Sequence, residues 1–158
     1  MVFYWEREMD NIDIVREKLR EQVPLLKHLG ITVSEYGDLR VVVVAPLEPN
    51  LNTHGTAFAG SLYCVGAMTG WSLTHLSLMD AGYQPSVVLA KAEVVYKRPV
   101  THDIKASTFV DKATFDTFLS DFKETGKARL TAEVSIFCDG EEAVCLTAQY
   151  VAFNKPED

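Results

Sequence analysis

Apolar residues recur at three- to four-residue intervals between Asn11 and His28, at Ile12, Val15, Leu19, Val23 and Leu26, which is the repeat of an amphipathic helix. Pro24 interrupts that repeat and predicts a kink or a fresh turn, and Gly30 supplies its stop. Two strands follow, Ile31–Tyr36 and the valine-rich Leu39–Ala45, joined at Gly37-Asp38. Pro46 and Pro49 bracket a polar loop that runs to His54. The pattern then changes: the thirty-one residues between Glu48 and Asp80 contain no Asp, Glu, Lys or Arg. About 20 apolar residues suffice to cross a bilayer. Here, however, Asn50, Asn52, His54, Ser61, Ser72 and His75 break the run, and its flanks are acidic. The segment from Thr56 to Met79 therefore reads as one long helix buried on all sides within a fold, with no membrane span. Ala59, Gly66 and Gly70 share one stripe of it, where small residues let a neighbour approach closely. No GxGxxG or GKS/T pattern turns these glycines into a phosphate loop.

The remainder is mostly strand. Val87–Lys97 alternates Ala90, Ala92, Val94 and Tyr96 against Lys91, Glu93 and Val95, and Asp103–Val110 alternates in the same way. Residues 113–123 read as a short helix with Phe115, Phe118 and Phe122 on one face, more fitting for core or interface than for an acyl-chain wall. Lys127–Cys138 and Glu142–Phe153 form a hairpin around Asp139-Gly140-Glu141. For Val134 and Ile136 to share a face with Val144 and Leu146, that loop needs an odd number of residues, and three fits. The order is helix, two strands, long helix, four strands, an α+β arrangement in which a six-stranded sheet must curl around an apolar central helix. No boundary or repeat divides the chain, so residues 1–158 are read as a single domain.

Composition narrows the function. With 47% hydrophobic residues the chain has the material for a core and is not a disordered segment. Fifteen Lys and Arg against 22 Asp and Glu give a net charge of -7, which argues against a nucleic-acid binder while leaving room for a small anion held by local cations. Cys64, Cys138 and Cys145 are an odd set without CxxC spacing and read as reduced thiols. His28, His54, His75 and His102 are scattered without ligand spacing, so no metal is expected. The start, Met1–Asp10, is acidic where a signal peptide would be basic, which predicts a cytoplasmic protein.

Three segments resemble a known family. Pro49-Asn50-Leu51-Asn52-Thr53-His54-Gly55-Thr56 looks like the Asn…His-Gly-Gly lead into the central helix of hotdog thioesterases. Val94-Val95-Tyr96-Lys97-Arg98-Pro99-Val100, followed by Asp103-Ile104-Lys105-Ala106, looks like their strand-Arg-Pro-turn-strand element. Gly126-Lys127-Ala128-Arg129 and the closing hairpin match their final strand pair. Together they cover nearly the whole chain, and the nearest resemblance is to the YiiD C-terminal thioesterase domain. It implies a hotdog fold, an acyl-CoA or acyl-carrier-protein thioester as substrate, coenzyme A present only as part of that substrate, and a homodimer or dimer of dimers. A hotdog hydratase or dehydratase ranks last, because those use a histidine with an acidic partner.

Thioester hydrolysis needs a stabilised oxyanion, a positioned water and a group to take its proton. Gly55 and Thr56 are expected to begin the central helix and offer N–H groups at the positive end of its dipole; alternatively Gly55 only makes the turn and Thr53 or Thr56 caps the helix. His54 is a candidate to orient the carbonyl or move a proton, or else to tie down the loop. Asn50 and Asn52 are candidates to hold the water and are equally good turn formers. Many hotdog thioesterases carry an Asp or Glu about two turns further on. This chain has Ser61-Leu62-Tyr63-Cys64 there and no carboxylate before Asp80, so Ser61 and Tyr63 are the side chains left to bind water, and Glu48 or Glu93 the acids left to lend. Lys97 and Arg98 are the candidates for coenzyme A phosphates, against a plain surface pair. The missing carboxylate keeps a second function open, a non-catalytic acyl-CoA-binding module linked in relatives to acyltransferase chemistry.

Overall fold

A computed structural model describes residues 9–155, so the opening segment read above for a targeting signal lies, but for Met9 and Asp10, outside the described residues. The first helical pattern splits at Pro24 into α1 (Asn11–Gln22) and α2 (Pro24–Leu29). Val23 leaves the helical region, and Pro24 opens α2 at the position where a missing N–H costs nothing. Asp10 caps α1 through the Asp13 amide at 2.9 Å, and Gly30 stops α2 with φ +69°. Strands β1 (Thr32–Gly37) and β2 (Arg40–Ala45) follow, then a single 3-10 turn (Glu48–Asn50) and the long helix α3 (Ala59–Asp80). The rest is β3 (Pro85–Tyr96), β4 (Ile104–Phe109), α4 (Lys112–Thr125), β5 (Lys127–Cys138) and β6 (Glu141–Asn154). All pairings are antiparallel, in the spatial order β1-β2-β4-β5-β6-β3.

Helix α3 touches every strand of the sheet, and from Leu73 to Met79 all its side chains are buried. Three bulges bend the strands around it: one in β1 between Val33 and Glu35, one in β3 between Leu89 and Lys91, and one at the β5–β6 end between Ile136 and Phe137. The glycine stripe makes the close approach. A Cβ on Gly66 would stand 3.1 Å from Leu146 Cδ2, and one on Gly70 would collide with the Tyr150 ring, whose Cζ lies at 2.6 Å. Tyr150 is fully buried across that gap and donates its hydroxyl to Ala67 O at 2.6 Å. Phe118 and Phe122 are core residues, and Phe115 packs half-buried beside them. Among the described residues no helix is long and apolar enough to cross a membrane.

Two turns differ from the expectation. The β1–β2 connection is Asp38-Leu39 rather than Gly37-Asp38, both with positive φ (50° and 57°), and Gly37 pairs with Arg40 inside the ladder. Leu39 accepts this backbone because its side chain packs on the core and its carbonyl takes the Val110 amide at 3.0 Å. The β5–β6 loop has two residues, Asp139 and Gly140, not three. The parity that suggested three is met by an extra residue, Ala143, between Val144, opposite Ile136, and Glu142, opposite Phe137.

The end of α3 carries a charge of the wrong sign for its dipole, Asp80. Its carboxylate is held by Asn11 Nδ2 and the Tyr36 hydroxyl, each at 2.7 Å, which ties α1 and β1 to the helix end. One turn earlier His75 is buried and stacked on Trp71, with centroids 4.7 Å apart and planes 10° from parallel. Its Nδ1 has no partner, and burial, aided by the Lys18 and Lys155 charges, pulls its pKa down to about 4.

The glycine stripe predicts an order of stabilities. Gly70→Ala is expected to cost about 1–3 kcal/mol in urea unfolding, because the Tyr150 ring must move and its bond to Ala67 loosens. Gly66→Ala should be close to neutral, since Leu146 Cδ2 ends a flexible side chain and alanine gains up to about 1 kcal/mol in helix propensity. Equal losses at the two sites would refute the packing argument. His75 predicts an acid limb. The unfolded chain takes up this proton near pH 6.5 and the fold only near 4, so the contribution is intact above pH 6.5 and lost as the pH falls towards 4. Between pH 7.5 and 5 that amounts to about 2 kcal/mol. The fall in Tm over this interval should be visibly smaller in His75→Gln; an identical fall in both proteins would contradict it.

Candidate active site at the start of the central helix

The loop before α3 is a small hairpin closed by an antiparallel bridge between Leu51 and Ala57. Asn52 organises it from within. Its Oδ1 accepts from the amides of His54 (2.8 Å) and Thr56 (3.2 Å), and its Nδ2 donates to Thr56 Oγ1 at 2.9 Å. The Gly55 amide is spent on Asn52 O at 3.2 Å, and Gly55 itself is a turn glycine with φ +76° and open space around it. Asn50 is buried. It donates through Nδ2 to Leu29 O (2.8 Å) and Pro46 O (2.7 Å), which fixes the amide orientation and leaves Oδ1 buried without a partner. Of the two asparagines, Asn52 is thus committed to the turn, and Asn50 alone keeps an acceptor unused.

The expectation that Gly55 and Thr56 begin the helix is corrected here. Both belong to the hairpin; Ala57 gives its amide to Val100 O at 2.8 Å and Phe58 gives its own to Asn50 O at 2.7 Å. Helix α3 starts at Ala59, with Phe58 as an N-cap whose extended backbone supplies no side-chain acceptor, and Thr56 does not cap it. Leu62 N makes the first helical bond, to Phe58 O at 3.0 Å. The amides of Ala59, Gly60 and Ser61 are therefore the free donors at the positive end of the dipole. Gly60 lies beneath Phe58: a Cβ there would run into the Phe58 ring edge, with Cζ at 3.1 Å, and the exposed ring would have to swing aside.

Along the next turn Ser61 is buried and Tyr63 and Cys64 are half-buried. Tyr96, at the end of β3, donates its hydroxyl to Ala59 O at 2.9 Å and lies near Tyr63 and Cys64. Burial pushes the Cys64 thiol up, the opposite of an activated nucleophile. His54 sits exposed at the hairpin tip, and its ring makes no hydrogen bond among the described residues. Glu48 is exposed on the 3-10 turn. Glu93 points with Lys91 to the outer face of the sheet, in a groove with Thr131, Thr147 and Gln149, away from α3. Lys97 and Arg98 stand where β3 ends, and both have partners: Lys97 pairs with Glu142 and Arg98 with Glu141, while their amides share Ala143 O (2.8 and 3.3 Å). Glu142 raises the Lys97 pKa, and Lys97 with Ser135 lowers that of Glu142.

Comparison with known proteins gives the family and the fold. The family model described as "Putative thioesterase (yiiD_Cterm)" matches residues 12–154. The chain belongs to that thioesterase family. A Shewanella oneidensis protein described as a "putative thioesterase" is 31% identical, with TM-score 0.83 over 90% of this chain and 96% of that one. A Chlorobaculum tepidum protein of unknown function is 26% identical at TM-score 0.86, over 90% of this chain and 93% of that one. A Haemophilus influenzae thioesterase, at 13% identity and TM-score 0.70 over 95% of each chain, shares the fold. The architecture is the hotdog fold, a curled six-stranded antiparallel sheet around a long helix.

Sequence reasoning missed three residues of this family member's helix start: Phe58, Gly60 and Tyr96. The signal for the first two was an aromatic two places before a glycine at the head of the apolar run. Tyr96 was on the correct strand face by alternation, but its reach to Ala59 depends on how far β3 extends. Gly60→Val is expected to lift the Phe58 ring and obstruct the free amides, lowering thioester turnover at least about tenfold while the far-ultraviolet dichroism stays unchanged. Gly60→Val with wild-type turnover would remove Phe58 and the first turn from the site.

Proposed function

We propose that this thioesterase-family chain hydrolyses acyl thioesters of coenzyme A or an acyl-carrier protein at the start of α3. The observation that carries the reading is the trio of free amides at Ala59, Gly60 and Ser61, at the positive end of a 22-residue helix whose interior is otherwise sealed. A thioester carbonyl accepting from these amides gains most when negative charge develops on its oxygen, at the tetrahedral stage. Water then adds to the acyl carbon, the carbon–sulfur bond breaks, and the thiolate leaves and takes up the proton that water lost. With no carboxylate on α3 before Asp80 at its far end, His54 is the proton-transfer group the loop offers.

His54 stands at the tip of a hairpin whose exposed end leads out from the subunit, which supports a site shared between two copies. The sheet edges support the same reading. Arg16 covers the β1 edge, donating to Val33 O (2.7 Å) and Ser34 O (3.1 Å). Among the described residues the twelve-residue β3 pairs with β6 and with no other strand, and Trp71 donates to its backbone at Val87 O, 2.9 Å away. Val88, Val95 and Tyr96 are exposed along it, so pairing with β3 of a second copy would extend the sheet. Lys97 and Arg98, near that edge, would exchange their carboxylate partners for coenzyme A phosphates. Three free thiols support a reducing, cytoplasmic setting.

The absence of a carboxylate in the first turns of α3 favours a second reading, an acyl-CoA-binding module without turnover. A screen of acyl-CoAs for thiol release separates the two. The enzyme reading expects turnover above the buffer rate and a loss in kcat of about 10²-fold for His54→Ala. It also expects a raised KM with little change in kcat when Lys97 and Arg98 are both replaced by Ala. Tight acyl-CoA binding with no thiol release would hand the site to the binding module.

A further inference from the structure

The four histidines carry no ligand spacing in the sequence, yet the fold brings one of them beside a cysteine and an aspartate. His102 lies in the β3–β4 connection, Cys138 closes β5 and Asp139 opens the β5–β6 turn, and their ligand atoms all lie within 4.8 Å of one another. His102 Nε2 is 3.0 Å from Asp139 Oδ1, and Cys138 Sγ is 3.8 Å from Asp139 Oδ2. We propose that His102, Cys138 and Asp139 form a zinc-class binding site that staples the β3–β4 connection to the β5–β6 hairpin.

The distances suit the ion. Tetrahedral zinc, with bonds of about 2.0–2.1 Å to nitrogen and oxygen and about 2.3 Å to sulfur, sets its ligands about 3.4 Å (N to O) and 3.6 Å (S to O) apart. The observed 3.0 Å from His102 Nε2 to Asp139 Oδ1 is somewhat shorter than its spacing and the 3.8 Å from Cys138 Sγ to Oδ2 somewhat longer, so the carboxylate must turn to present one oxygen to both. His102 and Asp139 are exposed, so small rotations of their side chains close the set, whereas Cys138 is buried and held with Thr101 Oγ1 at 3.5 Å from its sulfur. Asp139-Gly140 satisfies the two-residue turn by itself. The turn gives no reason for a histidine 37 positions away to meet Asp139, next to the cysteine. One nitrogen, one sulfur and one oxygen donor select a borderline metal over magnesium or calcium, and the fourth position is left to water. Binding converts the Cys138 thiol to a thiolate and releases its proton to solvent, so thiolate and carboxylate together neutralise the dication.

Cobalt(II) added to the untagged, chelator-treated protein tests this. A 1:1 complex is expected, with the near-ultraviolet charge-transfer band of a thiolate–cobalt bond, displaced by zinc and accompanied by a rise in Tm. Cys138→Ser should abolish the band, and His102→Ala, an exposed change that spares the core, should weaken binding about tenfold or more. Cys64→Ser and Cys145→Ser should leave it intact. No band with the wild-type protein, a band that survives His102→Ala at full affinity, or one removed through Cys64 or Cys145 would overturn the assignment.

Discussion

Everything else in this molecule follows from enclosing a helix that has no polar side. Helix α3 carries no charge between Ala59 and Met79, and its second half is buried all round. An amphipathic helix lies on a flat sheet with one face wet, whereas α3 must be wrapped. Wrapping needs curvature, which the bulges in β1, β3 and the β5–β6 end supply, and a seam where backbone and sheet close up, which Gly66 and Gly70 supply against Leu146 and Tyr150. Polar groups drawn inside with the helix are mostly satisfied by it: Thr69 and Thr74 donate back to Val65 O and Gly70 O at 2.6 and 2.8 Å.

The same constraint shapes the chemistry. The two ends of α3 handle its dipole differently. At the C-terminus Asp80 is repelled and is held by Asn11 and Tyr36. At the N-terminus no side chain answers the free amides of the first turn. Donors left over at the positive end of the dipole are the kind of group that the proposed oxyanion would use. The lack of charge on α3 before Asp80 also leaves no carboxylate base on its first turns, so the proposed chemistry would take its proton transfer from the loop or a second copy.

Element type and order were legible because α3 and the strands have strong, different periods, and two periods fix which faces turn inward. The break at Pro24 and the stop at Gly30 were legible because proline and glycine act locally. The helix start was not. The uncharged run includes the hairpin from Leu51 to Ala57, and nothing in the charge pattern marks where the hairpin ends and the first turn begins; the boundary lies in the Leu51–Ala57 bridge and the Asn52 bonds. The turn at Leu39 was hidden for a related reason, since a leucine at positive φ is accepted only because the core receives its side chain. Parity correctly demanded an odd residue between β5 and β6 but could not say whether it sat in the loop or in the strand.

That odd residue has a consequence at the cation corner. By bulging at Ala143, β6 turns one carbonyl towards both Lys97 N and Arg98 N, and it sets Glu141 and Glu142 opposite the two cations. The pairs do not close the corner to an anion. Exposed ion pairs are screened by water and salt, while a phosphate brings more charge and more acceptor oxygens than a carboxylate. Under the proposed function a phosphate would displace Glu141 and Glu142 from the two cations that β6 sets beside them. Discrimination would follow from the same exchange: a singly charged anion would gain little over the carboxylates it replaced, and a polyphosphate would gain most.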